Sequence, residues 1–246
     1  MRRERYAVVS CHVERPLDDA VWARFGALQR ARPGGFAIAA LLRPADPGHG
    51  EDEATWLERA KAVSDHGPVG HHTHWTAPDH ARPTSDSTGE RVLDEGRLIR
   101  GRGVRATLFC GGGWYTDGQV AEACAELGYV DCTPRAHRPP YLAEGERWAW
   151  LGAPAVVELP SGRELRSIPT THSLGDLARA LPRPALPELV HVYFHDTDLL
   201  DRRRRVLLHV VLRLLARRAR VTDLDALAAE LLPAAPRVAW ADVARL

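Results

Sequence analysis

The chain has 246 residues, 45% of them hydrophobic, which is enough material for one large core. Lys and Arg number 33 against 32 Asp and Glu, and so near a balance removes the long-range attraction expected of a nucleic-acid binder. No stretch reaches the ~18 uninterrupted apolar residues of a membrane span; the nearest, 206–216, is broken by His209 and Arg213, so no transmembrane segment is expected. The opening MRRERYAVVS is charged but has no apolar core of an export signal, and Cys11, Cys110, Cys124 and Cys132 show no zinc-ribbon spacing. The expectation is a cytoplasmic chain with free thiols.

In chain order, the first β-rich run, 6–9, delivers Cys11, His12 and Glu14. A helical period follows at Val21, Phe25 and Leu28. The second run is 36–42, with a helix marked by Trp56, Ala60 and Val63 behind it, and the third is 69–74. Ser87 and Glu90 have capping-box spacing before another helical stretch. The fourth run, 104–109, precedes a helix that starts after Asp117 and stops at Gly128. Shorter runs at 129–131 and 155–159 lead to the last one, 189–194, and its helix at 199–216. Repeated βα units imply a parallel sheet with helices outside, closed as a barrel or open and doubly wound, in a single domain over 1–246. Arg202–Arg205 and 217–220 bracket the apolar part of the last helix. They read as its solvated ends in preference to a membrane-facing or polyanion-binding face.

Reactive side chains gather just past the carboxyl ends of these strands, the face on which a βα barrel builds its site. GHHTHW is the strongest signal, because His72 and His74 lie on one side of an extended strand and His71 on the other. Two imidazoles and a carboxylate suit zinc or another first-row divalent ion, with Glu14 as the hard ligand and His12 as a further ligand or a base. A cap on the following helix is the competing role for Glu14. His195, followed by Asp196, is placed to act as a general acid, although Asp196 and Asp198 also suit helix capping. Gly112, Gly113, Trp114 and Tyr115 lack a phosphate-loop frame and read as a substrate loop, or equally as a tight turn with a buried Trp.

The ordered elements VVSCHVE, VGHHTHW, TLFCGGGW, ELGYVDCT and VYFHDTD resemble the polysaccharide deacetylase family, the NodB-homology or carbohydrate esterase family 4 group. The resemblance implies a distorted parallel (β/α) barrel of about seven strands, a divalent metal cofactor (zinc in first place), an acid–base pair and an N-acetylated sugar or glycan precursor as substrate. The chain departs from the family pattern where Cys11, His12, Val13 and Glu14 replace paired aspartates. It departs again at Thr76, where the second histidine would fall, leaving His74 or His80 to serve. Cys110 stands in place of an arginine, and no tryptophan follows near Asp131. His195 and Asp196 fit best. A metal-dependent amide hydrolase is thus the leading expectation, with a non-catalytic glycan-binding scaffold as the alternative.

Overall fold

The computed structural model describes residues 4–84, 86–140 and 142–245. β1 (Tyr6–Val13) feeds α1 (Asp19–Ala31), whose free N–H groups at Ala20 and Val21 are taken by the Asp18 carboxylate. The helix cap is therefore Asp18, and Glu14 is left free for other contacts. β2 (Ala39–Leu42), α2 (Glu53–Ser64), β3 (Val69–Thr73), α3 (Thr88–Gly101), β4 (Leu108–Gly111), α4 (Gly118–Glu126) and β5 (Val130–Asp131) continue the alternation. Ser87 precedes α3 as its spacing suggests, but its side chain makes no capping bond; Asp117 does cap α4, accepting from the Val120 N–H. The second half holds β6 (Trp148–Ala149), β7 (Ala155–Glu158), β8 (Glu164–Ser167), β9 (His172–Ser173), α5 (Leu174–Ala180), β10 (Leu189–His195) and α6 (Arg202–Ala216). β11 (Arg220–Val221), α7 (Leu224–Leu231), β12 (Arg237–Ala239), α8 (Trp240–Val243) and β13 (Ala244–Arg245) complete it.

Parallel pairing runs β5–β4–β3–β2–β1–β10–β9. The ring closes because β8, parallel to β5, continues through Thr170 into β9, which is parallel to β10. Across that seam the Thr170 N–H donates to the Pro134 carbonyl at 2.8 Å and the Thr171 N–H to the His191 carbonyl at 3.0 Å. Counting the β8–β9 stretch as one stave, the barrel has seven: β1, β2, β3, β4, β5, this stretch and β10. The 155–159 run forms a strand, yet it lies outside the ring. Gly162, at φ 85°, turns β7 tightly into antiparallel pairing with β8, so no crossover helix intervenes and β12 adds to the outer edge.

Side-chain alternation sorts each stave. Val8, Leu41, Leu108, Val130, Ile168 and Leu189 fill the interior and meet Leu224 and Leu227 of α7, which plugs the end where β1 starts. Ala7, Val9 and Cys11 face outward and pack with Phe25 and Leu28 of α1. The other end, where the parallel staves finish, is left for polar groups.

Between plug and mouth sits His191, fully buried, its Nε2 2.9 Å from Ser10 Oγ. Burial holds its pKa down to about 3, against an ordinary value of 6.5. The folded form then binds fewer protons than the unfolded one below pH 6.5, so stability is lost as pH falls through the window from 6.5 toward 3. Between pH 7.5 and 5 this one ring should remove about 2 kcal/mol, at ~1.36 kcal/mol per pH unit below the unfolded pKa. Urea unfolding of wild type and His191→Asn at both pH values measures it: the pH-dependent drop should be smaller by that amount in the variant. An equal drop in both proteins would locate the acid sensitivity elsewhere.

Candidate active site

β1, β3 and β10 finish together at the open end. Their register sets His12 beside His195 and His72 beside Cys110 of β4. The Glu14 carboxylate reaches over this layer, its Oε1 3.9 Å from His72 Nε2, 3.6 Å from His74 Nε2 and 3.5 Å from His195 Nε2. Burial raises the Glu14 carboxyl, but the surrounding imidazoles outweigh it and hold the group well below the usual carboxylate range. Glu14 is an anion facing three ring nitrogens.

His72 in β3 and His74 just past its end are both oriented through Nδ1. His72 Nδ1 lies 2.8 Å from the Cys110 carbonyl and His74 Nδ1 2.7 Å from that of Pro78, and a carbonyl only accepts, so each Nδ1 carries the proton. Nε2 is then the nitrogen of each ring that faces Glu14, and the one able to offer a lone pair to a metal. Both Nε2 atoms are buried without a hydrogen-bond partner among the described residues, an arrangement that is costly unless a cation occupies the gap. A donor set of one carboxylate and two imidazoles, each with its far nitrogen tied to a carbonyl, fits a divalent first-row ion. His12, His72 and Cys110 form a second, overlapping cluster with ligand atoms within 4.8 Å of one another.

His12 is packed by the rings of His72 at 4.7 Å, Trp114 at 5.1 Å and Tyr193 at 5.2 Å, and its Nε2 is 3.6 Å from Cys110 Sγ. Burial, then the neighbouring His72 and His195, push its pKa well below 6.5, so it is an uncharged imidazole. Burial likewise raises the Cys110 thiol well above its ordinary value. His195 is the most open of the four mouth imidazoles, with 37% of its side chain exposed. A cleft lined by Ser173, Tyr193, Asp198 and Leu207 opens at it.

The other expected residues fall as follows. Asp196 is fully buried, and its oxygens accept the Arg15 and Thr197 N–H groups, each at 2.8 Å, so it ties the end of β10 to the loop after β1. No hydrogen bond among the described residues joins it to the His195 ring. Burial pushes its carboxyl up to about 6. His80 is exposed beside Asp79, away from Glu14, while His71 turns outward to Glu95 and Thr73. Gly112 and Gly113 form a turn at the mouth, and Gly112 is obligatory, since a Cβ there would meet the Thr73 carbonyl oxygen at 2.5 Å. Trp114 is buried as a wall against both His12 and Tyr193 and offers no open ring face for stacking. Tyr115 is half-buried and donates its hydroxyl to Asp117 at 2.7 Å.

Two neighbours of the site had no distinct signal in the sequence. Tyr193 follows from strand alternation, two residues before His195, but a tyrosine in an apolar run reads as core. Arg135 is buried behind the same wall, its guanidinium 4.4 Å from the Trp114 ring and 4.9 Å from that of Tyr193. It lies in an irregular stretch where no periodicity marks an inward side chain.

No family model and no curated protein matches the chain. Solved structures do. A provisionally assigned polysaccharide deacetylase from Mycobacterium smegmatis superposes with TM-score 0.59 at 12% identity, over 92% of this chain and 90% of that one. A mutant of a CE4-family pseudoenzyme with restored enzymatic activity gives 0.51 at 12% identity, over 96% and 70%. The chain has the NodB-like deacetylase fold. A 4-alpha-glucanotransferase from Thermococcus litoralis also superposes, with TM-score 0.58 and 12% identity, over 94% of this chain, which spans 39% of that protein. The NodB-like barrel is thus shared with chains of different activity, and function has to be argued from the mouth of this one.

Proposed function

We propose that the chain is a metal-dependent amide hydrolase acting on an N-acylated sugar or glycan precursor. The observation that carries this reading is the pair of orphaned, buried Nε2 atoms of His72 and His74 facing the Glu14 carboxylate. Those three residues would hold the divalent ion, zinc being the first choice for imidazole and carboxylate donors. When bound, such an ion supplies an activated water and a Lewis acid for the amide carbonyl. His12, uncharged in its aromatic box, has a lone pair with which to accept a proton at the metal side of the mouth. His195 stands at the open side, where its imidazole would serve as the proton donor to the leaving nitrogen. Asp196 supports it indirectly, by fixing the backbone just after it.

A glycan-binding scaffold is the second reading, favoured by one observation: an imidazole, His12, stands in the first motif where the family resemblance calls for paired aspartates. Metal analysis of protein purified without added metal, repeated after zinc or cobalt is offered, separates the two. One ion per chain is expected, with loss of that ion in folded His72→Ala and weakened retention in Glu14→Gln. Unchanged metal content in both variants would remove the three-residue site, and a wild-type chain that takes up neither ion would favour the scaffold.

A further inference from the structure

Seven large apolar side chains are exposed among the described residues, and five of them, Leu200, Val206, Leu207, Val210 and Leu214, lie in or just before α6. Apolar residues scattered singly need no partner, whereas a contiguous patch marks an interaction surface. The opposite side of the helix, Leu208, Val211, Leu212 and Leu215, is buried on the barrel. At ~100° per residue, Arg203, Val206, Val210, Leu214 and Arg217 share the outer face.

The charges on that face are as uneven as its apolarity. Residues 202–218 contain seven arginines and no carboxylate. Arg204 is held by Asp198, and Arg205 and Arg218 donate to backbone carbonyls, so those three serve the fold. Arg203, Arg213 and Arg217 are exposed, and their side chains make no ion pair among the described residues. An apolar stripe flanked by exposed arginines that make no ion pair is the pattern of a helix lying in a bilayer interface, with side chains entering between acyl chains and guanidinium groups at headgroup level. A second copy of the chain fits poorly, because a two-fold contact through this face would bring arginines together, and the nearest acids, Asp198 and Asp201, are already engaged by Arg204 and by the first amides of α6. A nucleic acid would leave the apolar stripe unused.

We propose that α6 is a peripheral docking helix for an anionic lipid bilayer. No helix among the described residues is long and apolar enough to cross a membrane, so the contact is a surface one. Leu207 belongs both to the patch and to the cleft beside His195, which puts the candidate active site at the rim of the docked face. On the amide-hydrolase reading, a lipid-borne N-acylated substrate would meet the site there; the docking itself is independent of that reading.

Co-sedimentation of the full chain with vesicles tests it without any activity measurement. The chain should pellet with an equimolar mixture of phosphatidylcholine and phosphatidylglycerol, stay in solution with phosphatidylcholine alone, and be released as salt is raised. The double variant Arg203→Gln, Arg217→Gln should partition roughly 30-fold more weakly, the loss expected for two interfacial charges. Val206→Glu with Val210→Glu should abolish pelleting, with melting temperature confirming an intact fold. Failure of the wild type to bind the mixed vesicles overturns the proposal. So does unaltered binding by the Glu variant, or a wild-type dimer in solution that the Glu variant breaks.

Discussion

His195→Ala should turn over an N-acyl substrate about 10²–10⁴-fold more slowly than wild type, the usual worth of general-acid help, while keeping its metal and its fold. The expectation rests on where β10 ends. In-register pairing with β1 brings His195 beside His12, and its Nε2 stands 3.5 Å from Glu14 Oε1, within one side chain of the candidate metal ligands. Exposure separates it from them: His72 and His74 are buried with their Nδ1 atoms tied to carbonyls, whereas His195 opens to a cleft. Its backbone N–H is fixed by the Asp198 carboxylate at 3.1 Å, and its ring packs edge-on against His12 and Tyr193 with part of it open to the cleft where a leaving nitrogen would sit. Turnover on a panel of N-acetylated sugars, read with metal content and melting temperature, tests this. Loss of the ion would make His195 a ligand, and full activity would make it structural; either result removes the general-acid role.

Much of this mouth was legible because strands with period-2 alternation announce which side chains share a side. His72 with His74, and His12 with Glu14, need only that rule, and the structure does bring all four together. The βα alternation likewise pointed to parallel staves wherever an apolar run was followed by a helical period. It misled at 155–159, where the most apolar run of its region forms an outer hairpin strand, while the stave itself is built from ELRS and the polar TTHS. Apolar content marks burial on both faces, and a short stave flanked by a hairpin on one side and a loop on the other does not need it. Asp196 shows a different limit. Adjacency to His195 suggested a shared chemical task, yet successive residues at a strand end point opposite ways, and the carboxylate finds a backbone donor in another loop, 181 residues away in sequence. Arg135 depends wholly on the tertiary fold, since its significance lies in the two rings it meets from β10 and the glycine turn.

Trp114→Ala should destabilise the chain by about 3–5 kcal/mol, the range for truncating a large buried aromatic ring. The indole is 3% exposed and meets three partners at once: His12 at 5.1 Å, Tyr193 edge-on at 4.7 Å and the Arg135 guanidinium at 4.4 Å. Its loss leaves a cavity and also removes one aromatic face from Arg135, whose Nε and Nη1 already lack hydrogen-bond partners among the described residues. Trp114→Phe, which keeps a ring between the imidazole and the guanidinium, should lose less than half as much. The backbone gives a second, signed test. Trp114 sits at φ 61°, next to Gly113 at the same φ, in a turn closed by the Tyr115 N–H on the Gly112 carbonyl at 3.1 Å. Alanine keeps the left-handed strain and glycine relieves it, so Trp114→Gly should be more stable than Trp114→Ala by about 1 kcal/mol, the reverse of their order in an ordinary strand. Urea midpoints of the three variants decide both points. If the alanine variant is the more stable of the pair, the wall is not held in that backbone conformation, and the ring loses its reason for standing between His12 and Arg135.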